Sequence, residues 1–206
     1  MNKNLILKWS SDNIKLKKTG TVSFNLPAIA SCPQAGACAA VCYATQGSYT
    51  MWSVKVARQY NFDRAKSCRR QFEKDLFHDL LLIKQTSIRL HDSGDFFDQA
   101  YLNTWCWVIK HFPAKQFYCY TKSLHLDWTD LPDNFTMVQS VGGKLDHLID
   151  LAKPHSRIFA TEEGRLQAGY QDGNKDDSAA QQGLIKIGLV YHGRKNLTDN
   201  QKVRFA

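Results

Sequence analysis

The stretch Thr21–Tyr43, TVSFNLPAIASCPQAGACAAVCY, is the part of the sequence that decides the fold. Its first six residues, TVSFNL, alternate polar and apolar side chains, which is the pattern of a β-strand. Pro27 ends that pattern, and three cysteines follow within eleven residues, separated by five and then by three residues: Cys32, Cys38 and Cys42. We expect a strand that runs directly into a loop whose thiolates can surround one centre.

Five further strands are predicted along the chain, at about Ile88, Gln116, Phe135, Arg157 and Ile185. Helical patterns separate several of them. Residues 50–85 carry Trp52, Val56 and Tyr60 at four-residue steps, with a break between two helices near KSCRR, and residues 98–111 form another helix. A short helix is predicted over residues 145–153, and residues 169–183 are predicted as a polar loop or mobile insertion.

Strands that alternate with helices predict parallel βαβ units. The fold class is therefore α/β, a single domain that forms a partial (βα)6 TIM-like barrel, although an open doubly wound sheet fits the same pattern. Residues 1–20 are predicted as an N-terminal arm, residues 21–193 as the barrel and residues 194–206 as a polar tail. In either architecture, chemistry gathers at the carboxyl ends of the strands.

The composition predicts a soluble cytoplasmic protein. The 206 residues are 43% hydrophobic and 22% charged, and no apolar run approaches the roughly 20 residues of a membrane span. The apolar segment near the N-terminus, Leu5–Leu7, is too short for a secretory signal. In a reducing compartment, clustered cysteines bind metal or perform chemistry more often than they form disulfides. The net charge of +8 is spread along the chain and makes nucleic acid a possible partner.

The cysteine cluster allows two interpretations. Three thiolates can hold a [4Fe–4S] cluster with one iron left open for a substrate or cofactor. Alternatively, they can form part of a structural zinc site, whose fourth ligand the fold would have to supply from Cys68 or His91. The sequence has no second close cysteine pair, and a zinc ribbon normally has one.

Polar residues follow each predicted strand, which is the arrangement of a site rather than of a core. Four of them are candidates for catalysis: His91, Lys122, Glu162 and His192. Tyr43 directly follows the last cysteine and is placed to pack against a cluster or an adenine, Asp95 suits a cationic amino group, and the Ser140 hydroxyl suits a ribose. The sequence contains no Gly-x-Ser-x-Gly elbow, phosphate-binding loop or His-Glu-x-x-His motif, which excludes the common hydrolases, NTPases and metalloproteases.

The layout resembles the core of radical S-adenosylmethionine enzymes, with a cysteine loop after the first strand and a glycine-containing acidic loop after the second. In those enzymes the second loop holds the methionine amino group, a role that the resemblance gives to Ser93, Gly94 and Asp95. The cysteine spacing of five and three residues departs from the usual three and two.

A closer resemblance is to the phage and plasmid family called gene product 88. It rests on TGTVSFNLPA, the cysteine loop ending in CYA, RLHDSGDFF with YLNTW, FYCYTKS and QSVGG, between about Lys18 and Gly143. The resemblance implies a cluster-binding barrel like that of radical enzymes. It implies [4Fe–4S] ligation by the three cysteines. Together with Ser93, Gly94 and Asp95, the residues Tyr43, Tyr120 and Ser140 complete the predicted cofactor site, and the resemblance to radical enzymes implies S-adenosylmethionine as the cofactor. The alternative is an iron–sulfur or zinc protein without catalytic activity that binds nucleic acid or a host protein.

Overall fold

The computed structural model of the protein describes residues 4–11 and 13–191. In this part the chain forms eight strands: β1 (Trp9–Ser10), β2 (Thr21–Phe24), β3 (Ser87–Leu90), β4 (Gln116–Thr121), β5 (Phe135–Ser140), β6 (His155–Phe159), β7 (Gln171–Asp172) and β8 (Lys186–Val190). Six helices accompany them: α1 (Ile14–Lys18), α2 (Trp52–Ser67), α3 (Arg69–Leu82), α4 (Gln99–Lys110), α5 (Glu162–Gln167) and α6 (Ser178–Gln181). None of the helices in these residues is long and apolar enough to cross a lipid bilayer.

The strands form one sheet in the order β1-β2-β3-β4-β5-β6-β8-β7. Only β1 is antiparallel to its neighbour, and every other pairing is parallel. This arrangement confirms the predicted α/β class with a mostly parallel sheet, and all six predicted strands are present. The pairings of the described residues do not close the sheet into a ring, so the partial barrel stays a prediction.

One face of the sheet, the helix face, packs against α3 and α4. Alternate residues of β2 and β3 point to this side: Val22, Phe24, Ile88 and Leu90. They pack with large apolar side chains of the two helices: Phe72, Leu76, Tyr101 and Trp105. All eight are almost fully buried. At α4, the Asp98 side chain accepts a hydrogen bond from the Tyr101 amide and caps the helix N-terminus.

The opposite face, the inner face, carries α6. Ala179 and Ala180 pack against Tyr118 and Val138 of β4 and β5, because small side chains let this short helix approach the strands closely. Residues 169–183, predicted as a polar loop, therefore contain β7 and α6 and cover the sheet. Although residues 169–183 are mostly polar, one of their carboxylates, that of Asp177, is fully buried.

The segment before β2, predicted as an arm, packs onto the same body. The Asp79 carboxylate on α3 accepts hydrogen bonds from the amides of Ile6 and Leu7 and from the Trp9 indole, each at 2.8 Å. Since Asp79 is fully buried, these bonds hold the segment against α3.

Two local predictions need correction. The helix predicted over residues 145–153 is only a 3-10 turn, Asp146–Leu148. The strand predicted at about Arg157, whose pattern extends over SRIFATEEG (residues 156–164), ends as β6 at Phe159, and α5 begins at Glu162 with its N-terminus capped by the Thr161 hydroxyl. A threonine followed by two glutamates is a helix-start signal, and it outweighs the β-propensity of the preceding residues.

Candidate functional site

The three cysteines lie in the loop between β2 and α2. The chain leaves β2 and passes through three short 3-10 turns before α2 begins: Ala37–Val41, Tyr43–Thr45 and Gly47–Thr50. All three thiols are free and half-buried. The loop therefore starts at the carboxyl end of the first parallel strand, which is the edge where sites form in such sheets.

Glycines fasten this loop to the turn after β5. Ala35 forms an antiparallel bridge with Gly143, and the Cys38 amide donates to the Gly142 carbonyl at 3.2 Å. A Cβ atom at Gly36 would lie 2.7 Å from the carbonyl carbon of Gly143, so only glycine permits this approach. The QSVGG stretch, which includes the end of β5, thus sets the position of the cysteine loop.

The thiols influence one another electrostatically. The pKa of Cys32 is raised to about 12, mainly by burial and then by the Asp95 carboxylate, with smaller contributions from the other two loop thiols. Burial also raises the pKa of Cys42, with a contribution from Cys38 in the same direction, whereas the positive charge of Lys122 opposes it. The three thiols therefore share one neighbourhood. Metal binding there would have to release their protons, because thiolates are the ligating form.

Two observations on the described residues bear on whether the cysteine loop binds a metal. In residues 4–11 and 13–191, no three or more His, Cys, Asp or Glu side chains are arranged so that they could hold a metal ion. The donor chemistry still suits iron–sulfur or zinc ligation, since both use cysteine thiolates. Cys68, one candidate for a fourth zinc ligand, is exposed at the junction of α2 and α3.

His91, the other candidate ligand, lies in the aromatic core of the helix face. Its Nε2 is 2.9 Å from the Tyr101 hydroxyl, and its ring stacks on Tyr101 and meets Phe96 edge-on. Burial, assisted by the charge of Arg89, lowers the pKa of His91 to about 3, so the ring is neutral at pH 7. These contacts describe a hydrogen-bonded core histidine, and a role as ligand or base stays a prediction.

The loop after β3 is held by bonds within the chain. The Ser93 hydroxyl donates to the Leu26 carbonyl at 2.6 Å. The Asp95 carboxylate accepts hydrogen bonds from the Thr121 hydroxyl and from the amides of Phe96 and Lys122. Burial raises the pKa of Asp95 despite these bonds. Asp95 thus joins the ends of β3 and β4, and its predicted contact with a cationic amino group would require exchange of one of these partners.

Gly94 brings the same loop against the cysteine loop. Its φ of 89° is in the left-handed region, and a Cβ atom there would lie 2.6 Å from both the Leu26 Cβ and the Ser31 Oγ. Only glycine meets both conditions without strain. The predicted turn at Gly94 is therefore present, and it packs directly against Ser31, the residue before Cys32.

Tyr43 bridges the two loops. Its hydroxyl donates to the Asp92 carbonyl, and its ring meets Tyr49 edge-to-face with 5.5 Å between centroids. The Asp92 carboxylate in turn lies 3.7 Å from the guanidinium of Arg58. Tyr43 is half-exposed and next to Cys42, where a bound group would reach its ring.

Lys122 and Ser140 meet at the ends of β4 and β5. The Lys122 ammonium donates to the Ser140 hydroxyl at 2.6 Å, and its stem lies against Gly143. Since Lys122 also opposes the raised pKa of Cys42, it supplies positive charge beside the cysteine loop. Tyr120, near the end of β4, has a buried hydroxyl without a hydrogen-bond partner in the described part of the chain.

A pocket of about 540 Å³ opens beside the cysteine loop. Its walls are the loop glycine and alanine, the turn after β5 and part of β6: Gly36, Ala37, Val141, Gly142, Gly143, Asp146, Arg157 and Ile158. The Asp146 carboxylate accepts hydrogen bonds from the amides of Gly142 and Gly143 and fixes that turn. The pocket therefore combines backbone that a ligand can approach closely with one cationic side chain.

Sequence reasoning missed a buried polar cluster on the inner face. Arg89 Nη1 donates to the Asp177 carboxylate at 2.7 Å, the Tyr118 hydroxyl donates to it at 2.9 Å, and the Lys15 ammonium lies 2.6 Å from its other oxygen. The Arg89 guanidinium also lies over the Tyr120 ring, 5.0 Å from its centroid. An arginine inside a buried parallel strand was the available signal, because a buried charge requires a partner.

Two candidate catalytic residues lie elsewhere. Glu162 is exposed in the first turn of α5 and pairs with Arg165, which lowers the pKa of Glu162. His192 lies outside the described residues. The structure thus brings together the cysteines, Tyr43, Asp95 and Lys122, and it does not bring Glu162 to them.

The family model described as gene product 88 matches residues 2–204. The chain belongs to the gene product 88 family. Membership covers nearly the whole length, so it includes β6, α6 and β8 as well as the segments that carry the sequence resemblance. No curated protein and no solved structure matches this gene product 88 protein.

Proposed function

We propose that the protein binds a [4Fe–4S] cluster through Cys32, Cys38 and Cys42, leaves one iron open and performs radical S-adenosylmethionine chemistry. One observation carries the proposal. Three half-buried thiols are held in a single loop at the carboxyl edge of a parallel sheet, and burial together with neighbouring loop thiols raises the pKa of Cys32 and of Cys42. Three cysteines leave one site of such a cluster open, whereas electron-transfer clusters normally use four.

We further propose that the sheet curves into a partial barrel around its inner face. Gln181 of α6, whose helix packs on β4 and β5, donates to hydroxyls at the start of β2 and β3: Thr21 at 2.9 Å and Ser87 at 2.8 Å. A four-residue helix that packs on β4 and β5 and also reaches β3 and β2, one and two places beyond β4, favours a curved sheet over a flat one. This curvature would bring the strand ends together around the cysteine loop.

The pocket beside Gly36 is the proposed position of the cofactor. When bound, a cluster with an open iron supplies reductive cleavage of S-adenosylmethionine. The chain would contribute close backbone approach at Gly142 and Gly143, an aromatic ring at Tyr43 and positive charge at Lys122. Arg157 in the pocket wall and Lys122 beside the cysteine loop are both cationic, and positive charge at these positions suits an anionic substrate.

Metal and sulfide analysis of protein prepared without oxygen tests the cluster. We expect a brown protein with about four iron and four sulfide per chain. Serine at any one of Cys32, Cys38 and Cys42 should reduce the iron content, whereas the matched variant Cys106→Ser, on α4, should retain it. A colourless protein with stoichiometric zinc would contradict the cluster and favour the zinc site instead.

Titration with S-adenosylmethionine tests the open iron. The EPR spectrum of the reduced cluster should change on addition of the cofactor, and dithionite should then release 5′-deoxyadenosine. An iron–sulfur protein whose spectrum does not change, and which releases no 5′-deoxyadenosine, would retain the cluster proposal and refute the radical chemistry.

A further inference from the structure

The outer face of α2 carries an apolar stripe that faces solvent. Trp52, Val56 and Tyr60 occur at four-residue steps, and 79%, 44% and 36% of these side chains are exposed. The four-residue repeat did predict a helix, and the helix is present. Its buried side, however, is formed by Asn61 and Ala65, so the large apolar residues lie on the opposite side from the core.

Lysines surround this stripe. The Lys8 ammonium lies 5.2 Å from the centroid of the Tyr60 ring. Asn61 holds Lys8 in place, since its side chain bonds both the amide and the carbonyl of that residue at 2.8 Å. Lys55 and Lys66 are exposed on α2 and lie within about 60° of Trp52 around the helix axis, at 100° per residue. The one acidic residue in the stripe, Asp63, accepts a hydrogen bond from Gln59.

Aromatic rings among lysines suit a polyanion with planar groups. Two copies of the chain would bring the same lysines together, so the charge opposes pairing of this face with itself. Single-stranded nucleic acid supplies both complements, because its bases stack on aromatic side chains and its phosphates pair with cations. Trp52 and Tyr60 are about 12 Å apart along the helix axis, a distance that spans three to four stacked bases.

We infer that the outer face of α2 binds single-stranded nucleic acid, with bases stacked on Trp52 and Tyr60 and phosphates contacted by the surrounding lysines. This inference does not rest on the proposed cluster. It uses a different surface, and the net charge of +8 supplies the long-range attraction.

Fluorescence anisotropy with a labelled twenty-nucleotide oligo(dT) tests the inference on the full chain. We expect salt-dependent binding, and Trp52→Ala should weaken it roughly 5- to 150-fold, the loss of one base–aromatic stack. The matched control is Trp107→Ala on α4. That tryptophan is also exposed, at 46%, but it packs against His111 and lies outside the stripe. Its replacement should leave the affinity unchanged.

Four further results decide the outcome. Lys55→Glu should weaken binding and reduce the slope of affinity against salt, which supports phosphate contact. Equal weakening by Trp52→Ala and Trp107→Ala would overturn the inference, as would equal affinity for duplex and single strand. A dimer in sedimentation that Trp52→Ala dissociates would also overturn it, because the stripe would then be an interface between protein chains. Unchanged urea midpoints for both alanine variants ensure that the comparison concerns folded protein.

Discussion

Replacing Asp177 by asparagine should destabilise the protein strongly. The Asp177 carboxylate joins three elements at one buried point, since it contacts Arg89 on β3, Tyr118 on β4 and Lys15 on α1. Burial alone would raise the pKa of Asp177, but the charges of Arg89 and Lys15 outweigh it and hold that pKa below its ordinary value. Asparagine keeps the size of the side chain and removes the charge, so two cations lose their common partner.

The contacts set the expected magnitude. The Asp177 side chain is fully buried and that of Arg89 is only 9% exposed, and removal of one partner from such a pair costs about 3–5 kcal/mol. The contact with Lys15 adds less than the contact with Arg89, because the Lys15 side chain is 22% exposed and can reach solvent. The Tyr118 hydroxyl can still donate to the asparagine oxygen. We therefore expect a loss of about 3–4 kcal/mol in the free energy of unfolding.

Urea denaturation at pH 7, followed by circular dichroism, measures this loss. The matched control is Asp130→Asn, since Asp130 pairs with Lys110 at 3.1 Å but is 94% exposed, and its midpoint should not move. Arg89→Met combined with Asp177→Asn should lose less than the sum of the two single losses, because the residues interact directly. Equal midpoints for Asp177→Asn and Asp130→Asn would refute the conclusion that residues 169–183 pack on the sheet as a part of the fold that stabilises it.

Three further predictions concern the same scaffold. The folded-state pKa of Asp177 is lowered, so the carboxylate stabilises the folded protein fully above the unfolded-state pKa of about 4, and this stabilisation is lost as the pH falls through the folded-state pKa. The difference in urea midpoint between wild type and Asp177→Asn should therefore narrow below about pH 4. Asp79→Ala should cost about 3 kcal/mol, because the Trp9 indole and two amides lose their acceptor; a loss below about 1 kcal/mol in urea would contradict this. Gly94→Ala should cost about 2 kcal/mol more than Gly20→Ala in the same assay, since both have positive φ but only position 94 lacks space; equal losses would exclude the steric clash.

Periodicity predicted the elements that have a repeating pattern. The alternation in TVSFNL, the aromatic run QFYCYT and the helical repeats on both sides of Cys68 all appear in the structure at the expected places. It failed for β1, β7 and α6, which have two, two and four residues, too few for a period to show. These elements depend on contacts with distant parts of the chain, such as the bond from Gln181 to Thr21, and a local pattern carries no information about such contacts.

For the candidate site, too, local sequence patterns predicted some features and missed those that depend on distant contacts. The sequence placed the cysteine loop and the loop that contains Gly94 at the carboxyl ends of strands, and the structure brings them into contact there, since glycine at positions 36 and 94 permits close backbone approach. The sequence did not predict which polar side chains at the strand ends are already committed to the fold. Asp95 accepts three hydrogen bonds from the chain, whereas the Lys122 ammonium donates one, to Ser140, and lowers the pKa of the Cys42 thiol against the effect of burial. A ligand that enters beside the cysteine loop would therefore meet Lys122 at lower cost than Asp95, since displacing Asp95 would leave buried donors unpaired.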